Sequence, residues 1–273
     1  MPARFPDKTV VAKPKTGESQ SKPDATPSCR LLIAKPGGRN VWALGSRYVL
    51  KNREYYPGSE IETANTSLAE ESSGVLVPKM VAAWKEEDRY FTIQDRIEGE
   101  SLEEALPKLT QEDIARIGQQ VGKQLLRLRG TVSGTMQMLD GRPVIDRRLC
   151  KPLPASSSGA YSVCVTDEDV RANLSLAIAH RVDKSTLNDL MAKMPSALPF
   201  TFSHSDVHEG NIMVKGGNFV GLIDWELAGF YPCWWEFVNS CELLSDHLPA
   251  TLQDHSALEW FRVYHGIRER PEE

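Results

Sequence analysis

The chain has 273 residues, 41% hydrophobic and 25% charged, which gives room for one large or two small soluble domains. A formal net charge of −5 excludes an overall nucleic-acid footprint. No apolar run approaches the roughly 20 residues of a bilayer span, so no membrane partner is expected. Five cysteines, an odd count without a Cys-x-x-Cys pair, point to reduced thiols rather than a disulfide framework.

Residues 1–28 are rich in Pro, Lys, Ser and Thr and are predicted to be a disordered tail. They hold no apolar core of a signal peptide, so a cytoplasmic location and a monomer are expected. From Arg30 the texture changes. Arg30–Ala34, Asn40–Leu44 and Arg47–Lys51 read as short strands, punctuated by Gly37-Gly38 and Gly45-Ser46. Glu60–Ser72 reads as a helix with Ile61, Ala64 and Leu68 on its apolar face. Val75–Pro78, Met80–Trp84 and Arg89–Gln94 follow as further extended segments, so residues 29–96 form a small antiparallel lobe.

Residues 97–273 read as a larger, mainly helical lobe, entered through the linker Ile97–Leu102. Thr110 and Asp113 form a capping-box start. Ile114, Ile117, Val121, Leu125 and Leu128 then make one apolar stripe of a long helix. Residues 130–165 read as loop. Helices are expected from Thr166 to His180, Leu187 to Met194, Trp234 to Leu244 and Leu258 to Val263. The overall class is α+β, in two lobes.

The segment His204-Ser-Asp-Val-His-Glu-Gly-Asn211, with Asp224-Trp-Glu226 downstream, carries the chemistry. Phe200–Ser203 reads as a strand. Ile212–Val214 and Phe219–Ile223 are apolar runs joined by Lys-Gly-Gly-Asn, a hairpin signal. Asn211 therefore stands just before one strand of the hairpin and Asp224 just after the other, and the two must converge. Phosphoryl transfer is mostly positioning and charge neutralisation, and Mg²⁺ takes hard oxygen ligands. Asn211 and Asp224 fit as metal ligands, and Asp206 as the residue that orients an acceptor hydroxyl and takes its proton. Lys51 closes an apolar strand, as a phosphate-binding lysine does, and pairs with a Glu of the following helix. Glu60, Glu62, Glu70 and Glu71 all lie there, with Glu62 preferred. A metal-dependent hydrolase built on His204-x-Asp206-x-His208 is the competing chemistry. A catalytically inactive nucleotide-binding protein is the competing non-enzymatic one.

The stretch from His204 to Val214, then Gly221-Leu-Ile-Asp-Trp-Glu-Leu-Ala-Gly229 and the aromatic Tyr231–Phe237, resembles the aminoglycoside phosphotransferase and choline kinase-like family, in wording closest to its fungal members. The resemblance implies a protein kinase-like fold, ATP (with GTP as the alternative) and Mg²⁺ as cofactors, and a small hydroxylated acceptor. It also implies that adenine lies at the linker, near Gln94 and Ile97, where backbone groups of residues 94–96 read its edge. His204 and His208 then brace the loop, Gly37-Gly38 covers the phosphates, and Trp225, Trp234 and Trp235 pack the large lobe. The chain departs from the pattern at Ser205, where Gly is usual, and at Glu209, where Pro is frequent; neither position is catalytic in the pattern, so both departures are expected to be neutral. Glu226, Glu236 and Glu242 are the acids available to a cationic amino-alcohol acceptor.

Overall fold

The computed structural model describes residues 29–35, 38–144, 146, 148–149 and 163–269. The predicted tail and Gly37 lie outside the described residues. Strands β1 (Cys29–Lys35), β2 (Arg39–Leu44) and β3 (Tyr48–Glu54) lead into helix α1 (Ile61–Ser73), then β4 (Met80–Glu86) and β5 (Arg89–Asp95). They form one antiparallel sheet in the order β1-β2-β3-β5-β4, with Lys51 on the central strand between Val41 and Thr92. Residues 75–78, expected to be extended, form no strand. Pro78 has no N–H to donate to a ladder.

The face that α1 buries differs from the predicted one. Ile61 is buried, but Ala64 is exposed and Leu68 only half-buried. The inward residues are Glu62, Asn65, Thr66 and Ala69. A helix can bury so polar a face because partners meet it. The Asn65 amide donates to the carbonyls of Trp225 and Ala228, at 2.9 and 2.8 Å, and Glu62 meets a lysine. Helix α1 is thereby docked onto the segment that follows Asp224.

The second lobe starts with β6 (Glu100–Ser101) and the short α2 (Leu102–Ala105), followed by the long α3 (Gln111–Arg129). Both bonds of the Thr110–Asp113 capping box are present. The stripe residues Ile117, Val121, Leu125 and Leu128 are at most 1% exposed, which makes α3 the spine of this lobe. Where a loop was expected, β7 (Val132–Ser133) and β8 (Gln137–Met138) form two short strands. Helices α4 (Asp167–Ile178) and α5 (Lys184–Ala192) precede β9 (Phe200–Ser203), β10 (Ile212–Lys215), β11 (Asn218–Leu222) and β12 (Gly229–Tyr231). The sheet β7-β9-β12-β8 and the sheet β11-β10-β6 flank the loop between β9 and β10. The single helix expected over residues 234–244 is broken into α6 (Trp235–Asn239) and α7 (Glu242–Ser245), and α8 (His255–Arg268) is longer than expected. Trp234, Trp235, Trp260, Phe261 and Tyr264 stack edge to face or flat behind the loop, with ring centroids 5.4 to 6.3 Å apart. Among the described residues, no helix is long and apolar enough to cross a membrane.

Candidate active site

The hairpin β10–β11 does what its sequence requires. Ile212 pairs with Leu222, and the Ile223 N–H donates to the Asn211 carbonyl at 3.0 Å. Asn211 and Asp224 therefore meet at its open end. Asp224 adopts a left-handed backbone, φ +67°, which an Asp tolerates better than a bulky residue. Trp225, fully buried, donates its indole N–H to the Leu222 carbonyl and holds this turn.

Lys51 reaches across from the sheet. Its ammonium lies 2.6 Å from Glu62 and 3.3 Å from Asp224. Of the four candidate glutamates, Glu62 is the one brought to Lys51, while Glu70 and Glu71 are exposed two turns on. Burial opposes the charge on Lys51, but Asp224 and Glu62 outweigh it and raise its pKa above the usual lysine value. Burial likewise works against the Asp224 carboxylate, yet Lys51, Arg39 and His204 hold it down at about 2. The site thus keeps a charged lysine and a charged aspartate side by side at neutral pH.

Asp206 sits half-buried in the β9–β10 loop. The Asn211 amide donates to both its backbone carbonyl and its carboxylate, each at 3.0 Å. With its N–H groups so engaged, Asn211 has its carbonyl oxygen left for a cation. Asn211 and Asp224 supply an amide oxygen and an ionised carboxylate from the two ends of one hairpin, a donor set that suits Mg²⁺. Asp206 faces a further cation, Arg148, whose Nη1 is 3.4 Å from its Oδ1.

His204 is fully buried, and both ring nitrogens are occupied: Nε2 lies 3.0 Å from the Ile223 carbonyl and Nδ1 accepts from the Asp206 N–H at 3.2 Å. This fixes the neutral ring with its proton on Nε2 and joins the loop to the end of β11. A zinc site using His204 has no ring nitrogen left. His208 lies 3.7 Å from the Asp206 carboxylate on the exposed side of the loop.

Two groups were missed in the sequence. Ser205, expected to be neutral, has φ +65°, the region that favours glycine. Its hydroxyl donates to Asp146 and accepts from the Trp235 indole, both at 2.8 Å. Asn239 and Arg148 donate to its carbonyl. Glu236, buried, accepts the backbone N–H groups of both His204 and Ser205. The side-chain network thus offsets a strained backbone. Ser205→Ala should keep the strain, leave the buried Trp235 indole N–H without its acceptor and take one donor from Asp146, which keeps Arg148, a loss of about 2–3 kcal/mol in urea unfolding. Ser205→Gly relieves roughly 1 kcal/mol of that strain and should be the milder change. A glycine variant no more stable than the alanine one contradicts this.

The second missed group is Glu226. It is clamped by Arg39 of β2 at 2.5 Å and by Arg53 of β3, and the Arg53 guanidinium also donates to the Ser59 carbonyl at 2.6 Å. Burial and the neighbouring Asp224 raise its pKa. Gly38, φ +71°, turns the β1–β2 hairpin above this cluster, and the Arg89 guanidinium donates to its carbonyl. Gln94 is buried on β5 opposite Val49, and Ile97 packs over Gly221 at the lobe junction. The Asp95 and Arg96 N–H groups bond to the carbonyls of Lys79 and Arg47, at 2.8 and 2.7 Å. These two donors are engaged within the first lobe.

The loop should also be pH-sensitive in a way that two variants separate. Burial lowers the His204 pKa from 6.5 to about 4, so its contribution to stability is complete above pH 6.5 and is lost as pH falls towards 4. Burial, against the pull of the His204 and Ser205 N–H groups, raises Glu236 from 4.5 to about 7, so its contribution is complete below pH 4.5 and is lost as pH rises through 7. The two slopes offset between these values. In Glu236→Gln the His204 slope stands alone, and unfolding free energy should fall between pH 6.5 and 4.5 by on the order of 2–3 kcal/mol more than in the wild type. Parallel pH profiles contradict this.

Comparison with solved structures finds the same fold. The chain is similar to a ternary complex of streptomycin, ATP and APH(2")-IIa, with a TM-score of 0.55 and 12% identity over 87% of this chain and 81% of that one. It is similar also to a thermostable mutant of the aminoglycoside phosphotransferase APH(4)-Ia in ternary complex with ADP and hygromycin B, with a TM-score of 0.57 and 13% identity over 88% and 84%. At such identity the likeness is one of fold: an antiparallel-sheet lobe on a helical lobe, the protein kinase-like arrangement. Among curated proteins none matches. The profile of the phosphotransferase enzyme family matches residues 37–273, which include Lys51, Glu62, Asp206, Asn211 and Asp224, and the chain belongs to that family.

Proposed function

We propose that the protein transfers the γ-phosphoryl group of ATP to a hydroxyl of a small molecule. The observation that carries this reading is that Lys51 and Glu62 converge on Asp224, and Asn211 on Asp206, with Asn211 and Asp224 at the open end of one hairpin. Lys51, held in place by Glu62, contacts the phosphates. Asn211 and Asp224 hold Mg²⁺, which when bound neutralises charge on the phosphate oxygens. Asp206 accepts a hydrogen bond from the acceptor hydroxyl. The acceptor oxygen bonds to the γ-phosphorus as the bond to the β–γ bridging oxygen breaks; the hydroxyl proton passes to Asp206 and ADP leaves. The Asn211 amide keeps the Asp206 carboxylate aimed at the acceptor, so positioning does most of the work.

The direct test of the nucleotide half is titration calorimetry. Mg–ATP should bind, and at a hundred times its dissociation constant it should stabilise the fold by about 2.7 kcal/mol. GTP in the same titration settles the base preference. A protein that binds neither nucleotide is not a phosphotransferase.

A further inference from the structure

A cavity of about 340 Å³ is walled by α6, α7 and α8. Its wall is tied to the catalytic loop: the Cys241 N–H donates to the Val207 carbonyl at 2.9 Å, and Asn239 donates to the Ser205 carbonyl at 2.6 Å. Arg148 lines the cavity and also touches Asp206, which marks the end where a reacting hydroxyl arrives. The body of the cavity is apolar, with Phe237, Val238, Leu258 and Phe261. Arg262 and His265, three residues apart on one face of α8, also line it.

The three acids named in the sequence as candidates for a cationic acceptor are engaged elsewhere. Glu226 is clamped by Arg39 and Arg53. Glu236 accepts two backbone N–H groups of the catalytic loop. Glu242, the one carboxylate among the described lining residues, stands 3.6 Å from Arg262. Both of those side chains are mostly exposed, so their pairing contributes at most about 1 kcal/mol, and a ligand carboxylate can replace it. The described lining carries Arg148, Arg262 and His265 against the single carboxylate of Glu242, a balance that favours an anionic ligand over an amine-rich one.

We propose that the acceptor is an anionic hydroxy compound with an apolar body, its hydroxyl at Asp206 and its carboxylate on Arg262. This rests on the phosphotransferase reading above. The test follows ADP release with three matched alcohols: 4-(hydroxymethyl)benzoate, its methyl ester and 4-(aminomethyl)benzyl alcohol, each backed by alkyl analogues of graded length. The acid series should be turned over with the highest kcat/KM and the amine series with the lowest. Arg262→Gln should raise KM for the acid about tenfold and leave kcat and the ester KM unchanged, while Glu242→Gln should lower KM for the acid. The proposal is overturned if the amines are preferred, if acid and ester respond alike to Arg262→Gln, or if a protein that binds Mg–ATP refuses every acid. Absence of Mg–ATP binding would instead overturn the phosphotransferase reading, so the two failures are separable.

Discussion

Asp206→Asn should lower kcat by roughly a thousandfold, on the order of 4 kcal/mol of barrier, while Mg–ATP still binds within about twofold. The substitution keeps the shape and one hydrogen-bond acceptor, and it removes the negative charge and with it the ability to take a proton. Asp206 makes no contact with Lys51, Glu62 or Asp224 among the bonds described, and Asn211, which donates to its carboxylate, is also held by the Asp206 backbone carbonyl at 3.0 Å. Arg148 loses the charge at 3.4 Å but keeps Asp146 at 2.7 Å, and the amide oxygen can still accept from Asn211. Unchanged turnover would remove Asp206 from the mechanism. Loss of Mg–ATP binding in step with turnover would make it a nucleotide ligand instead.

Asp224→Asn should act on the other half of the reaction. The dissociation constant of Mg–ATP should rise about a hundredfold, or roughly 2.7 kcal/mol, because the strongest oxygen ligand of the cation is gone. Metal-free ATP should bind as well as before or better, since a negative charge beside the phosphates has been removed and Lys51 keeps Glu62 at 2.6 Å. That opposite response to metal separates a metal ligand from a residue that merely shapes the pocket. Equal weakening with and without Mg²⁺ would assign Asp224 a structural role. Titration calorimetry with and without a chelator reads both numbers.

What was legible in the sequence is what depends on short range. The hairpin β10–β11 announces itself by two apolar runs around a Gly-Gly turn, and its geometry alone brings Asn211 to Asp224. The stripe on α3 and the capping box at Thr110 are equally local. Lys51, in the middle of β3, and Glu62, at the start of α1, are eleven residues apart, so their meeting needed only the sheet and the helix that follows it. Ser205 could not be read in this way. Its role is set by Asp146, Trp235, Glu236 and Asn239, which come from separate parts of the chain, and its positive φ has no mark in a serine codeword. The clamp on Glu226 is of the same kind, since Arg39 and Arg53 reach it from across the cleft. The face of α1 was misjudged because apolar spacing was followed where buried ionic and amide partners decide the packing. In each miss, the signal was a polar residue whose partner lies far away in sequence.

The pattern also says where this site is built stiffly. Asp206 is held from below by His204, Ser205, Glu236 and Trp235, all buried, whereas the Arg39–Glu226 bond that joins the sheet to the second lobe is half-exposed on its arginine side. The catalytic loop is therefore the fixed part. The cleft proposed for the nucleotide is lined by Ile33, Val41, Lys51, Thr92 and Asp224.

The most direct measurement follows the γ-phosphoryl group itself. Incubated with γ-labelled ATP, Mg²⁺ and the hydroxy-acid, ester and amino-alcohol panel, the wild type should place label on an alcohol and release ADP in equal amount, and Asp206→Asn should do neither above background. Label that stays in ATP, ends only in inorganic phosphate, or transfers equally well in the Asp206→Asn protein would contradict phosphoryl transfer by this site.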